Sequence, residues 1–184
     1  MPPNRQKAAP KPLDSRRLEE LALHYAARFA TSRAKLTIYL NRKLRERGWA
    51  EGQERGPDVE ALVERLAELR YVDDGAFATM RGAALTRRGY GARRVAQALD
   101  DAGIDGEERG EALDKSRAES WHAADTFARK RRIGPYAPGR PERDVRQKHI
   151  AAFVRAGHDF ATAARWVDAE PGEPPPEPED ERLL

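Results

Sequence analysis

Histidines stand at positions 24, 122, 149 and 158 of the 184-residue chain, and they are the first side chains to weigh for chemistry. His122 and Asp125 share a helix face at i, i+3, but no second pair completes a metal site. Scattered histidines ordinarily fill helix faces. The chain has no cysteine, so it offers no thiolate nucleophile, no disulfide and no cysteine-bound zinc. The phosphate-loop pattern GxxxxGK followed by Ser or Thr, the zinc-protease pattern HExxH and the nucleophile elbow GxSxG are all missing. Asp73-Asp74 reads as a helix cap in preference to a metal site. Gly89-Tyr90-Gly91 reads as a flexible turn in preference to a phosphate cradle. Carboxylates select nothing in a chain that is 35% charged. No catalytic residue, metal or cofactor is expected, and the chain does not read as an enzyme.

Binding chemistry is better represented. Of 34 basic residues 27 are arginine, against 31 acids, for a net charge of +3. A guanidinium suits bidentate contact with carboxylate or phosphate, so an acidic partner fits. Arg81, Arg87, Arg88, Arg93 and Arg94 lie within 14 residues that include no acid. A second run gathers Arg129, Lys130, Arg131, Arg132, Arg140, Arg143, Arg146 and Lys148, diluted by Glu142 and Asp144. Tyr90 and Tyr136 stand among these charges, placed for stacking on bases or guanidinium groups. The candidate partner-binding residues are Arg81, Arg87, Arg88, Tyr90, Arg93, Arg94, Arg131, Arg132, Arg143 and Arg146. Gly89 to Gly91 breaks the chain between two helices, so the Arg87–Arg88 and Arg93–Arg94 pairs flank one turn and are placed to converge.

Helices must carry these residues. Prolines cluster at 2–12, at 57, at 135–141 and at 171–178, and helices run in the stretches between them. Leu18, Leu21, Tyr25 and Phe29 recur at helical spacing after Asp14 as N-cap, with Leu13 and Leu18 as a hydrophobic staple. Leu36, Leu40 and Leu44 follow Ser32 and stop at Gly48, which is expected to be left-handed with Trp49 covering the end. Asp58 opens a stripe of Val59, Leu62, Val63, Leu66 and Leu69; Asp73 opens the next, with Val72 and Phe77 as its staple. Val95, Leu99 and Gly103 repeat the stripe-then-glycine ending, and Asp105 with Glu108 resembles a capping box for a short helix to Leu113. Trp121 to Ala128, Val145–His149–Phe153–Gly157 and Phe160 to Val167 mark the last three. No segment alternates with period two, so the expected class is all-α, with about nine helices. No apolar run approaches the roughly 18 residues of a membrane span, and Met1 to Leu13 has no apolar signal-peptide stretch. A cytoplasmic protein is therefore expected.

Gly48, Gly103 and Gly157 are spaced by 55 and 54 residues. Leu44, Leu99 and Phe153 stand four residues before them; Leu40, Val95 and His149 stand eight before. A period slightly above 50 signals tandem helical units, each with three helices, stacked into an elongated, often curved array. The expected organisation is a basic, proline-rich disordered arm at 1–13, repeats at 14–72, 73–117 and 118–169, and an acidic disordered tail at 170–184. The tail carries a net −5, which leaves +5 on residues 14–169.

At this level of detail the sequence resembles the RecX recombination regulators. Ser32-Arg33-Ala34-Lys35-Leu36 with Leu40, Leu44 and Gly48 resembles the family's first-repeat helix. Leu66 with Leu69-Arg70-Tyr71-Val72-Asp73-Asp74 and Phe77-Ala78 resembles its most recognisable stretch. Arg88-Gly89-Tyr90-Gly91-Ala92-Arg93-Arg94-Val95 with Leu99 and Gly103-Ile104 resembles its second-repeat signature, and Phe153 to His158 stands where the third repeat ends. Two positions depart from the usual pattern: Ala92 replaces a proline and Ala102 a basic residue. The resemblance implies three tandem three-helix repeats in a curved array. It also implies binding to the RecA recombinase filament on single-stranded DNA, inhibition of ATP hydrolysis and strand exchange, and a role in recombination, repair and the SOS response. Single- or double-stranded DNA stands as a second partner, and the chain is expected to act as a monomer. The alternative reading is a helical-repeat nucleic-acid-binding module with no RecA-specific role.

Overall fold

The computed structural model describes residues 11–50 and 56–178. Residues 1–10 of the expected basic arm and 179–184 of the expected tail lie outside it. The described residues form an all-α protein: α1 (Ser15–Arg28), α2 (Arg33–Arg47), α3 (Val59–Glu68), α4 (Asp74–Arg87), α5 (Ala92–Asp100), α6 (Gly106–Ala118), α7 (Ser120–Arg131), α8 (Arg143–Arg155) and α9 (Phe160–Val167). A single 3-10 turn at Gly134–Tyr136 interrupts the proline-rich loop before α8.

Four helix starts form as their cap residues dictate. Asp14, Ser32, Asp58 and Asp159 each accept the backbone N–H three residues on, from Arg17, Lys35, Ala61 and Thr162. Each such cap is worth about 1 kcal/mol. Asp105 departs from its expected capping box: its side chain makes no cap bond. The next residue, Gly106, opens α6 at φ +58, which takes the first turn out of cap geometry. The helix also runs to Ala118, past the expected stop at Leu113, because Ser116 turns inward and shares a buried hydrogen bond of 3.1 Å with Thr86.

The chain divides into two compact units, residues 1–74 and 75–184. In the first, Leu18, Leu36, Leu40, Val63 and Leu66 close a core over α1, α2 and α3. Leu13 is fully buried there, so the expected disordered arm ends before it. Its N–H donates to the Gly48 carbonyl, and its own carbonyl accepts from Ala50. Gly48 has the expected positive φ of 76, but its ψ is 168; this extended exit lays Trp49 beside Leu13 as an isolated bridge. Leu69, expected on the stripe of α3, is 59% exposed. The chain reverses at left-handed Arg70 (φ 62), which swings Leu69 out and brings Val72 into the core.

The second unit holds two apolar clusters. Phe77, Leu85, Val95, Leu99 and Ile104 form one, on α4, α5 and α6. Phe127, Ile133, Ile150, Phe153 and Trp166 form the other, on α7, α8 and α9. Burying each large side chain contributes roughly 1.5–3 kcal/mol. Tyr90 packs against both clusters. α5 and α8 end alike: Ile104 N–H returns to Leu99 and His158 N–H to Phe153, with Gly103 and Gly157 at positive φ. Val145, expected on the buried stripe of α8, is exposed; Ile150 and Phe153 hold that face. The start of the acidic tail is exposed yet tied down. Glu170 pairs with Arg140, Gly172 N–H donates to Pro135, and Arg165 donates to the Pro176 carbonyl.

Candidate partner-binding surface

The turn between α4 and α5 is a rigid crossing of backbones, contrary to the flexible turn expected there. Gly89 sits at φ +90, and a Cβ on it would lie 2.9 Å from the Phe127 nitrogen on α7. A Cβ on Gly91 would lie 2.3 Å from the Gly157 carbonyl oxygen. Real Cβ contacts do not approach so closely, so only glycine lets this turn lodge between α7 and the α8–α9 corner. Gly91 N–H donates to Ala156 and Arg93 N–H to Gly157. Buried His158 places Nε2 3.0 Å from the Gly89 carbonyl. With that carbonyl as acceptor, Nε2 carries the proton. Desolvation holds the His158 pKa below its ordinary value, so the ring is neutral near pH 7. The N–H groups of Gly91 and Arg93 at the start of α5 are thus taken by protein carbonyls.

Fixed this way, the turn presents Arg88 and Tyr90 to a cleft of about 270 Å³ that also receives Phe127, Lys130, Arg131 and Arg155. Lys130 Nζ donates to the Arg88 carbonyl at 3.1 Å. The Arg88 guanidinium lies 5.5 Å from the Tyr90 ring centre, and that of Arg131 lies 5.7 Å from Phe127. Four cations line this cleft and no carboxylate does. Among the described residues none of the four forms an ion pair. Unrelieved like charge around an aromatic floor is chemically a receptor for an anion.

The other expected residues scatter. Arg93 lines a different groove, of about 360 Å³, with Arg109, Arg117 and His158, so the Arg87–Arg88 and Arg93–Arg94 pairs do not converge on one cleft. Arg81, Arg87, Arg94, Arg132 and Arg143 are exposed and line neither. Arg146 is committed within the fold: it makes two 2.6 Å bonds to Asp168, which raise its pKa and lower that of the carboxylate. Tyr136 donates its hydroxyl to Asp125 and lies under Arg129. Burial first, and then Asp125, push its pKa up. Lys130 and Arg155 complete the cleft without having been singled out as site residues. The available signal for Arg155 was its place two residues before the third closing glycine.

No family model matches the sequence. A regulatory protein RecX from Myxococcus xanthus is 34% identical over 173 residues, spanning 88% of this chain and 90% of that protein. The chain belongs to the RecX family. A second RecX regulatory protein, from Agrobacterium fabrum, is 29% identical over 152 residues, 78% of this chain and 82% of its own. Two RecX crystal structures share the fold. That from Lactobacillus salivarius has a TM-score of 0.56 at 18% identity and covers 80% of this chain and 90% of its own. The other has a TM-score of 0.57 at 19% identity, with 80% and 68% covered. The RecX relatives are named as regulatory proteins, and no helix among the described residues is long and apolar enough to cross a membrane.

Proposed function

We propose that this RecX-family protein binds the RecA recombinase assembled on single-stranded DNA and restrains its ATP hydrolysis and strand exchange. It does so as a cytoplasmic monomer built of repeats at 14–72, 73–117 and 118–169. The observation that carries the reading is the cleft of Arg88, Lys130, Arg131 and Arg155. Its cations have no ion-paired carboxylate among the described residues, so an acidic surface of the partner is the complement that fits them. The exposed arginines at 81, 87, 93, 94, 132 and 143 lie outside this cleft and add further positive charge to the surface. Inhibition follows if the bound filament cannot make the subunit movements of ATP turnover.

The same cleft also favours a second reading, a nucleic-acid-binding module, because Tyr90 lies among the cations. One measurement separates them: RecA ATPase with added protein while single-stranded DNA is raised far beyond saturation. A filament binder still inhibits in excess DNA. A module that only sequesters DNA is titrated away, and that result would overturn the RecA reading.

A further inference from the structure

Unit 1 carries an aromatic surface that the charge pattern does not announce. Phe29 follows the last turn of α1 in extended conformation (φ −130, ψ 127), with its N–H held by the Tyr25 carbonyl. Its ring lies 5.1 Å from that of Tyr25, which in turn stacks on Tyr39 of α2 at 4.0 Å and 19°. Three rings therefore form a continuous ladder across two helices. Arg28 stands 5.6 Å from the Phe29 ring centre, and Arg42 and Lys43 stand 5.6 and 5.9 Å from that of Tyr39. Phe29 remains 49% exposed, although a phenylalanine gains from burial. Among the described residues the only carboxylate paired with this ladder's cations is Glu46, shared by Arg42 and Lys43, and Arg28 has none.

We infer that this ladder is a base-stacking platform for single-stranded nucleic acid. A half-exposed ring, fixed by its backbone and backed by the tilted Tyr25 that itself stacks on Tyr39, offers a base a preformed surface. Cations at both ends of the ladder are placed for the phosphates on either side. Such a site takes unpaired bases and rejects duplex, whose base faces are already stacked. The platform is independent of the cleft in unit 2 and does not rest on the RecA reading.

The test is fluorescence anisotropy of labelled oligo-dT, an abasic oligonucleotide of equal length, and a duplex, each titrated with the full chain. Wild type binds oligo-dT more tightly than either control. Phe29→Ala weakens oligo-dT binding about 5- to 100-fold, leaves abasic binding unchanged, and melts like wild type. Phe29→Trp restores it. Arg28→Gln weakens both single strands and lowers the salt slope by roughly 1. Equal binding of oligo-dT and abasic strand by wild type, or an equal loss of both in Phe29→Ala, overturns the platform. So does a Phe29→Ala protein that keeps oligo-dT affinity but inhibits RecA less, since the surface would then be a protein contact.

Discussion

The two arginine-rich stretches are similarly dense in cations along the sequence and differ in the fold. The run from Arg81 to Arg94 keeps its charge: none of its five arginines finds an ion-pair partner among the described residues. The run from Arg129 to Lys148 is partly consumed. Arg129 pairs with Asp125, Arg140 with Glu170 and Arg146 with Asp168. Only Lys130 and Arg131 of that run turn to the cleft, where they join Arg88 from the first. Cation density along a chain thus measures available charge poorly. What matters is which carboxylates the fold brings alongside.

The largest effect belongs to the turn that holds the first run in place. Gly91→Ala sets a methyl group against the Gly157 backbone, which cannot yield as a flexible side chain would. A loss of about 3 kcal/mol or more is expected, read as a lower denaturant midpoint together with lost RecA inhibition. A wild-type midpoint would mean that the turn tolerates displacement and the first run is not rigidly held.

Next comes a direct contrast between the runs. Arg88→Gln with Lys130→Gln is expected to weaken RecA inhibition roughly tenfold or more at unchanged helicity. Arg140→Gln with Arg146→Gln should leave inhibition near wild type, although it removes the same number of cations. Equal losses from the two double variants would show that net charge alone governs binding.

Arg93→Glu with Arg94→Glu probes the exposed part of the first run outside the cleft. Both side chains are solvent-facing, so melting is expected to stay unchanged and inhibition to fall by a smaller factor, about threefold. Undiminished inhibition would reduce these two arginines to a solvated face.

The smallest effect is a pH signature of the consumed run. The Asp168 carboxyl is held below its ordinary value of about 3.8 by its hydrogen bonds to Arg146. The native state therefore binds fewer protons than the unfolded chain just below that value. The pair's contribution is present at neutral pH and lost as pH falls through the depressed pKa. Arg146→Gln should melt slightly lower than wild type at pH 7, with the gap closing in acid. A gap that persists at the lowest pH would assign the effect to lost packing.

Helix identity was largely local and therefore legible. Asp14, Ser32, Asp58 and Asp159 act on an N–H three residues away. Leu36–Leu40 and Val95–Leu99 are apolar pairs one turn apart, and all four are fully buried. The family resemblance rested on the same short-range strings. What the chain could not show alone was long-range. Asp168 lies 22 residues from Arg146, and Glu170 lies 30 from Arg140; their pairing depends on how α8, α9 and the tail pack. Gly89 and Gly91 looked like flexibility because the obstacles that demand them, Phe127 and Gly157, are distant in sequence. Leu69 and Val145 kept helical spacing yet lost their places in the core, one to a left-handed reversal at Arg70 and the other to Ile150 and Phe153. Periodicity says which residues can share a face, because a helix turns every 3.6 residues. Only packing decides which face is covered, which cations are neutralised and which remain to meet a partner.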